Sequence, residues 1–165
     1  MTRLKDAVDS GCYAQQQIHS RDRLIAWSHR GRFRTALTLG RQFAGQRVLD
    51  YGCGDGTLLG LLLASGFAPR LCVGAEIGDE IVRECQGRFD TPGLRFVHVN
   101  DLKRPEQAAA YDAVFCMEVF EHVVDPPPLL ADFERLLVPG GSLVVSVPIE
   151  TGVAVAAIRT SALSS

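Results

Sequence analysis

The stretch Val48-Leu49-Asp50-Tyr51-Gly52-Cys53-Gly54-Asp55-Gly56 constrains this chain more than any other part of it. An apolar pair runs into an acid, three glycines alternate with other residues, and Thr57 opens a leucine-rich run. Glycines at that spacing let the backbone turn sharply from a strand into a helix and leave room for a ligand against bare main chain. The acid at the strand end and the helix N-terminus beyond it give such a pocket a defined polarity. This is the pattern of a nucleotide-type cofactor site.

Charge narrows the choice of cofactor. The dinucleotide fingerprint Gly-x-Gly-x-x-Gly would put glycine at position 57, where this chain has Thr57, and the third glycine arrives one residue early as Gly56. A pyrophosphate also gains nothing from a carboxylate such as Asp50 just before the turn, because the two would repel. No Gly-Lys-Ser or Gly-Lys-Thr follows, which disfavours a Walker loop. The acid suits a ligand carrying positive charge, such as an amino group or a sulfonium.

Beyond residue 45, apolar runs and helical patterns alternate in the βαβ manner. The expected strands are Arg47 to Tyr51, Arg70 to Ala75 ending at Glu76, Leu94 to Val99, Ala113 to Met117 and Ser142 to Val147. The expected helices run from Thr57 to about Ser65, stopped by Gly66, from Asp79 through Gln86, and from Pro126 behind an Asp125 cap to the break at Pro139-Gly140-Gly141. A short helical piece is expected around Glu106 to Ala110. Upstream, the first dozen residues read as weakly ordered. Tyr13 to Phe43 reads as one or two helices, with Ile18, Leu24, Ile25, Phe33, Leu37 and Leu39 as core candidates.

In this setting the glycine segment resembles motif I of the class I S-adenosylmethionine-dependent methyltransferases. The resemblance covers the chain from about Gln46 to Pro148. It implies an α/β, Rossmann-like, doubly wound sheet of order 3-2-1-4-5, with helices on both faces and a switch point between strands one and four. The domain plan is then a helical lid or extension over residues 1–45, a core over 46–148 and a tail over 149–165. The implied cofactor is S-adenosylmethionine, leaving S-adenosylhomocysteine, and the implied reaction is methyl transfer to a small-molecule acceptor, with a hydroxyl preferred.

The resemblance also assigns residues. Asp50 is expected to hold the methionine ammonium, while Gly52, Cys53 and Gly54 line the cofactor chain. Glu76 is placed to accept from both ribose hydroxyls, with Ile77 beside it, and Asp101 and Leu102 would hold the adenine edge, Asn100 sharing or replacing the acid. Met117 and Glu118 close the cofactor side. Cys116 to Val123 is similar to the corresponding segment of ubiquinone-biosynthesis-type O-methyltransferases. Glu118, Glu121 and His122 fall at i, i+3 and i+4, so one helical turn would set them on one face.

That trio has three readings. Histidine titrates near neutrality, so His122 can take a proton from an attacking hydroxyl, with Glu121 and Glu118 beside it. The two acids can equally serve to order the loop. A metal reading follows from small-RNA 3′-terminal 2′-O-methyltransferases, which carry a similar Glu-x-x-Glu-His segment and a further histidine downstream. The histidines here are His19, His29, His98 and His122, with none beyond 122, so no metal site is expected.

One departure from the class stands out. Its members add two strands after strand five as an antiparallel edge hairpin, whereas only residues 149–165 remain here. Val153 to Ile158 reads as a short helix, and the hairpin is expected to be missing. Strand five would then lie open at the edge, inviting a partner or a second copy. A noncatalytic cofactor-binding or interaction module is the alternative that follows.

Size and composition agree with a single cytoplasmic domain. The chain has 165 residues, 47% hydrophobic and 22% charged, and no apolar run approaches the ~20 residues that span a bilayer. The five cysteines are widely spaced without a Cys-x-x-Cys pair, as reduced thiols would be. Residues 1–47 carry a balance of +6 and the rest −8, together the net −2. A basic flank of this kind is an ordinary solvated helix face or a guide for an anionic substrate, and no basic, aromatic-lined groove suggests nucleic acid.

Overall fold

The computed structural model describes residues 2–149 and 152–159. Six strands form one sheet: β1 (Arg47–Tyr51), β2 (Leu71–Glu76), β3 (Leu94–His98), β4 (Tyr111–Met117), β5 (Leu137–Ile149) and β6 (Gly152–Arg159). Their order is β3-β2-β1-β4-β5-β6, with the first five parallel. The expected 3-2-1-4-5 order is therefore present. The chain winds outward from β1 to β3, then returns to start again at β4 on the other side of β1. Right-handed crossovers send the connecting helices to opposite faces on the two halves.

Alternation along the strands shows the two faces. Val48, Cys72, Ala113, Phe115 and Val144 belong to one buried cluster, together with α3 (Thr57–Ala64) and α4 (Asp79–Arg88). Leu49, Val73, Val114, Cys116 and Leu143 belong to the other, together with α5 (Pro126–Leu136). A period of two, apolar in both registers, is what a sheet covered on both sides requires. In the second cluster Phe133 is 1% exposed and stands edge-on to Tyr51 at 5.1 Å and to Phe120 at 6.2 Å. Burial of such a ring contributes about 1.5–3 kcal/mol.

Four local expectations are corrected. The first residues are not weakly ordered: Thr2–Asp9 is helix α1, and Val8 is 2% exposed in the first cluster. The side chain of Val8 fits there because Gly60 of α3 has no Cβ to meet it. The piece expected at Glu106 to Ala110 is the 3-10 turn Pro105–Gln107, and α4 is preceded by Gly78 with no side-chain cap, so Asp79 lies inside its first turn. The fourth correction is at the edge, where residues 152–159 form a strand instead of the short helix expected there. β6 pairs antiparallel with β5 from Ser142↔Arg159 to Ile149↔Gly152, so it occupies the flank that strand five was expected to leave open.

The N-terminal segment continues through a π turn (Ala14–Ile18) into α2 (Arg23–Gly40). Of its core candidates, Ile18, Phe33, Leu37 and Leu39 pack partly buried against the first cluster, while the side chains of Leu24 and Ile25 lie outside the described residues. Arg32, Ala36 and Gly40 form the buried stripe of α2 at i, i+4 and i+8. Gly40 is needed there because a Cβ would overlap the side chain of Leu62 on α3.

Candidate functional site

The strand-to-helix turn takes the form its glycines predict. Gly52 has φ +72° and Gly54 has φ +52°, a region L side chains rarely adopt. The Gly52 and Cys53 N–H groups both donate to the Ala75 carbonyl, at 2.8 and 3.1 Å, which ties the turn to β2. A Cβ on Gly52 would overlap Val119, and one on Gly54 would stand 2.9 Å from the ring of Tyr13. The turn is thus bare main chain between two side-chain walls.

Beside it lies a cavity of about 730 Å³, within the range of small-molecule sites. Its lining comes from the C-terminal ends of β1, β2 and β4, the turns after β3 and β4, the start of α5, and Tyr13, Arg32 and Phe33 from the N-terminal segment. Binding at the strand C-termini beside the switch point is the position that this sheet order favours.

Asp50 is the most constrained group there. It is 2% exposed, it lines the cavity, and among the described residues no donor bonds its carboxylate. Burial pushes its carboxyl up to about 8, and the charge of Glu76 adds to the shift. A buried acid without a partner is costly. Glu76 at the end of β2 is tethered instead: Oε2 accepts from the Gly54 N–H at 2.9 Å and Oε1 from the Ile77 N–H at 2.7 Å. Each of these oxygens retains a second lone pair, and the residue lines the cavity.

Asn100 and Leu102, expected around the adenine, and Ile77, expected beside Glu76, line the cavity. Ile77 is 74% exposed, an unusual state for isoleucine at a strand end. Asp101 does not line it, because its Oδ1 is 2.6 Å from Arg104 Nη2. His98 braces these loops: its Nδ1 accepts from the Asn100 N–H at 3.1 Å, which leaves Nε2 to donate to the Ile77 carbonyl at 2.9 Å. Cys53 and Met117 also line the cavity, and the Cys53 thiol, raised by burial first and by Asp50 next, is an inert filler.

The trio after β4 is not arranged as expected. Glu118 has φ +57° and precedes the 3-10 turn Phe120–His122, so it shares no helical face with Glu121 and His122. Its Oε1 accepts from Ser146 Oγ at 2.8 Å, and its Oε2 is 3.0 Å from Arg32 Nη1. His122 lines the cavity with a 79% exposed side chain, and Glu121, 4.0 Å from its Nε2, does not line it. Among the described residues no group of His, Cys, Asp or Glu is gathered for a metal ion.

Three contributors were missed by sequence reasoning. Arg32 is 8% exposed, and its signal was present as a cation on the i, i+4 stripe it shares with Ala36. Asp55 bonds the Thr57 N–H at 3.1 Å and hydroxyl at 2.6 Å, and its Oδ2 accepts from the Tyr13 N–H at 2.7 Å. Asp55 therefore anchors Tyr13 over the glycine turn, and only the Asp-x-Thr spacing hinted at it. Ser146 is a lone hydroxyl in a run of valines.

A family model described as a methyltransferase domain matches residues 19–160. A ubiquinone biosynthesis O-methyltransferase of Xanthomonas oryzae pv. oryzae is 41% identical over 110 residues, covering 62% of this chain and 43% of that one. The chain spans less than half the length of the curated relatives it matches. Among solved structures, an S-adenosylmethionine-dependent methyltransferase from Aquifex aeolicus shares the fold with TM-score 0.62 at 17% identity, over 88% of this chain and 71% of that one. A Haemonchus contortus phosphoethanolamine N-methyltransferase bound to S-adenosylhomocysteine shares it with TM-score 0.59 at 21% identity, over 69% and 28%. The chain belongs to the methyltransferase domain family, within the class I S-adenosylmethionine-dependent methyltransferases.

Proposed function

We propose that this chain binds S-adenosylmethionine in the cavity and directs its methyl group to a hydroxyl of a small-molecule acceptor. The observation that carries the reading is Asp50, a buried carboxylate that faces the cavity with no donor among the described residues. An ammonium group placed there would supply both the missing charge and the missing hydrogen bonds. The other residues fit the rest of such a ligand. Glu76 would accept from the ribose hydroxyls, Ile77 and Leu102 would flank the ring, and Asn100 would take its polar edge. Arg32 is a buried cation brought beside Glu118 and would receive a carboxylate. Gly52 and Gly54 leave room for the chain between them.

When bound, the cofactor supplies a methyl carbon whose bond to sulfur breaks, the electron pair leaving with sulfur as the acceptor oxygen forms the new bond. The protein's share is then to hold the acceptor in line, to exclude water and to remove one proton. His122, which lines the cavity with Glu121 4.0 Å away, would accept that proton. Tyr13 and Phe33 cover the site from the N-terminal segment. The hydroxyl acceptor draws support from the matched O-methyltransferases.

A cofactor-binding module without turnover is the second reading, because more than half of each such relative lies outside the match. Calorimetry with S-adenosylhomocysteine tests the site: Asp50→Ala and Glu76→Ala should each abolish binding, and wild-type affinity in both would refute the assignment. Release of S-adenosylhomocysteine across an acceptor panel then separates the enzyme from the module.

A further inference from the structure

We infer that Ser146 is a positioning residue for the amino-acid end of the cofactor, acting through Glu118 upon Arg32. The inference rests on the cofactor reading proposed above. Ser146 is fully buried in β5 between Val145 and Val147, a place where an apolar side chain would otherwise pack. It grips Glu118 twice. Its carbonyl accepts from the Glu118 N–H at 3.0 Å, and its hydroxyl donates to Glu118 Oε1 at 2.8 Å.

That double grip explains how a glutamate stays at φ +57°, where a non-glycine residue needs its surroundings to hold it. With Oε1 fixed, Oε2 points at Arg32 Nη1, 3.0 Å away. The guanidinium comes from α2 and is 8% exposed. One hydroxyl and one carboxylate thereby link the central sheet to a cation delivered by the N-terminal helix. Without the hydroxyl, Oε1 loses its donor, and the carboxylate loses the fixed direction in which it presents Oε2 to Arg32. The nucleoside contacts at Glu76, Asn100 and Leu102 do not pass through this chain of bonds.

The test uses two ligands on the full chain. S-adenosylhomocysteine carries the amino-acid end, and 5′-methylthioadenosine lacks it. Ser146→Ala should weaken S-adenosylhomocysteine on the order of tenfold and leave 5′-methylthioadenosine unchanged, the scale of one hydrogen bond to a charged group. Ser146→Thr restores a hydroxyl and should bring the affinity back to within about twofold of wild type. Should Ser146→Ala fail to fold, Glu118→Gln carries the same comparison, since it removes the charge facing Arg32, and it should show the same selective loss. A variant that weakens both ligands equally, or neither, overturns the inference while leaving the cofactor site standing. Wild-type protein that binds neither ligand overturns the cofactor reading and this inference with it.

Discussion

Replacing Asp50 by Asn should stabilise the ligand-free protein near neutral pH while destroying the site. The folded-state carboxyl titrates at about 8 against an ordinary 3.8, because burial and the charge of Glu76 both disfavour the anion. Between those two values the folded chain keeps a proton that the unfolded chain releases. Stability is fully present below the unfolded value and falls as pH rises, by about 1.4 kcal/mol per unit, until the folded group also ionises near 8. At pH 7 the accumulated cost is on the order of 4 kcal/mol. Asn has nearly the same volume and no charge to desolvate, so the variant escapes this cost.

Urea unfolding of both proteins from pH 4 to pH 8.5 measures it. The two should coincide near pH 4 and separate steadily above pH 5, with the Asn midpoint about 2 M higher at pH 7 for a slope of about 2 kcal/mol/M. A cationic ligand should reverse the proton balance. Binding at pH 7 ionises Asp50, releases close to one proton, and tightens by about tenfold per pH unit up to about pH 8. Calorimetry in buffers of different ionisation enthalpy reads that proton. A gap between the two proteins that stays constant with pH would refute the argument that Asp50 is a desolvated, unpaired acid.

Other outcomes follow from single contacts. Gly52→Ala should destabilise by at least the 1–2 kcal/mol of a left-handed residue, because its Cβ also meets Val119, and should abolish cofactor binding in the same calorimetric assay. Phe133→Ala should cost about 3–5 kcal/mol in chemical denaturation, since it removes a fully buried ring that Tyr51 and Phe120 both touch. His122→Ala should lower turnover by about 10²-fold or more with S-adenosylhomocysteine affinity unchanged, and equal loss of both would show a binding role instead. Thiol titration of the native protein should modify Cys12, the exposed cysteine, and spare the buried Cys53, Cys72, Cys85 and Cys116, whose thiols burial pushes up.

Much of this was legible from residues alone where local rules act together. The apolar run before Asp50, the alternating glycines and the leucines after Thr57 specify strand, turn and helix without reference to the rest of the chain, and β1 and α3 form there. Glu76 and Ile77 could be placed because a strand end is a local event. Asp101 could not, because its partner Arg104 competes for the carboxylate and no periodicity reports a salt bridge three residues away. Glu118, Glu121 and His122 have helical spacing, yet a left-handed backbone at Glu118, held by Ser146 across the sheet, breaks the turn. The alanines of residues 152–159 favour a helix only weakly, and pairing with β5 overrides that preference. Helix α1 was overlooked for a similar reason, since its order comes from Val8 docking at Gly60 and not from its own composition.

A crystal structure of the full chain with S-adenosylhomocysteine tests the central claim most directly. The account predicts the ligand's ammonium within hydrogen-bond distance of Asp50 and its ribose hydroxyls on Glu76, with the main chain of Gly52 and Gly54 against it. A ligand bound elsewhere, or one in this cavity with its ammonium turned away from Asp50, would contradict it.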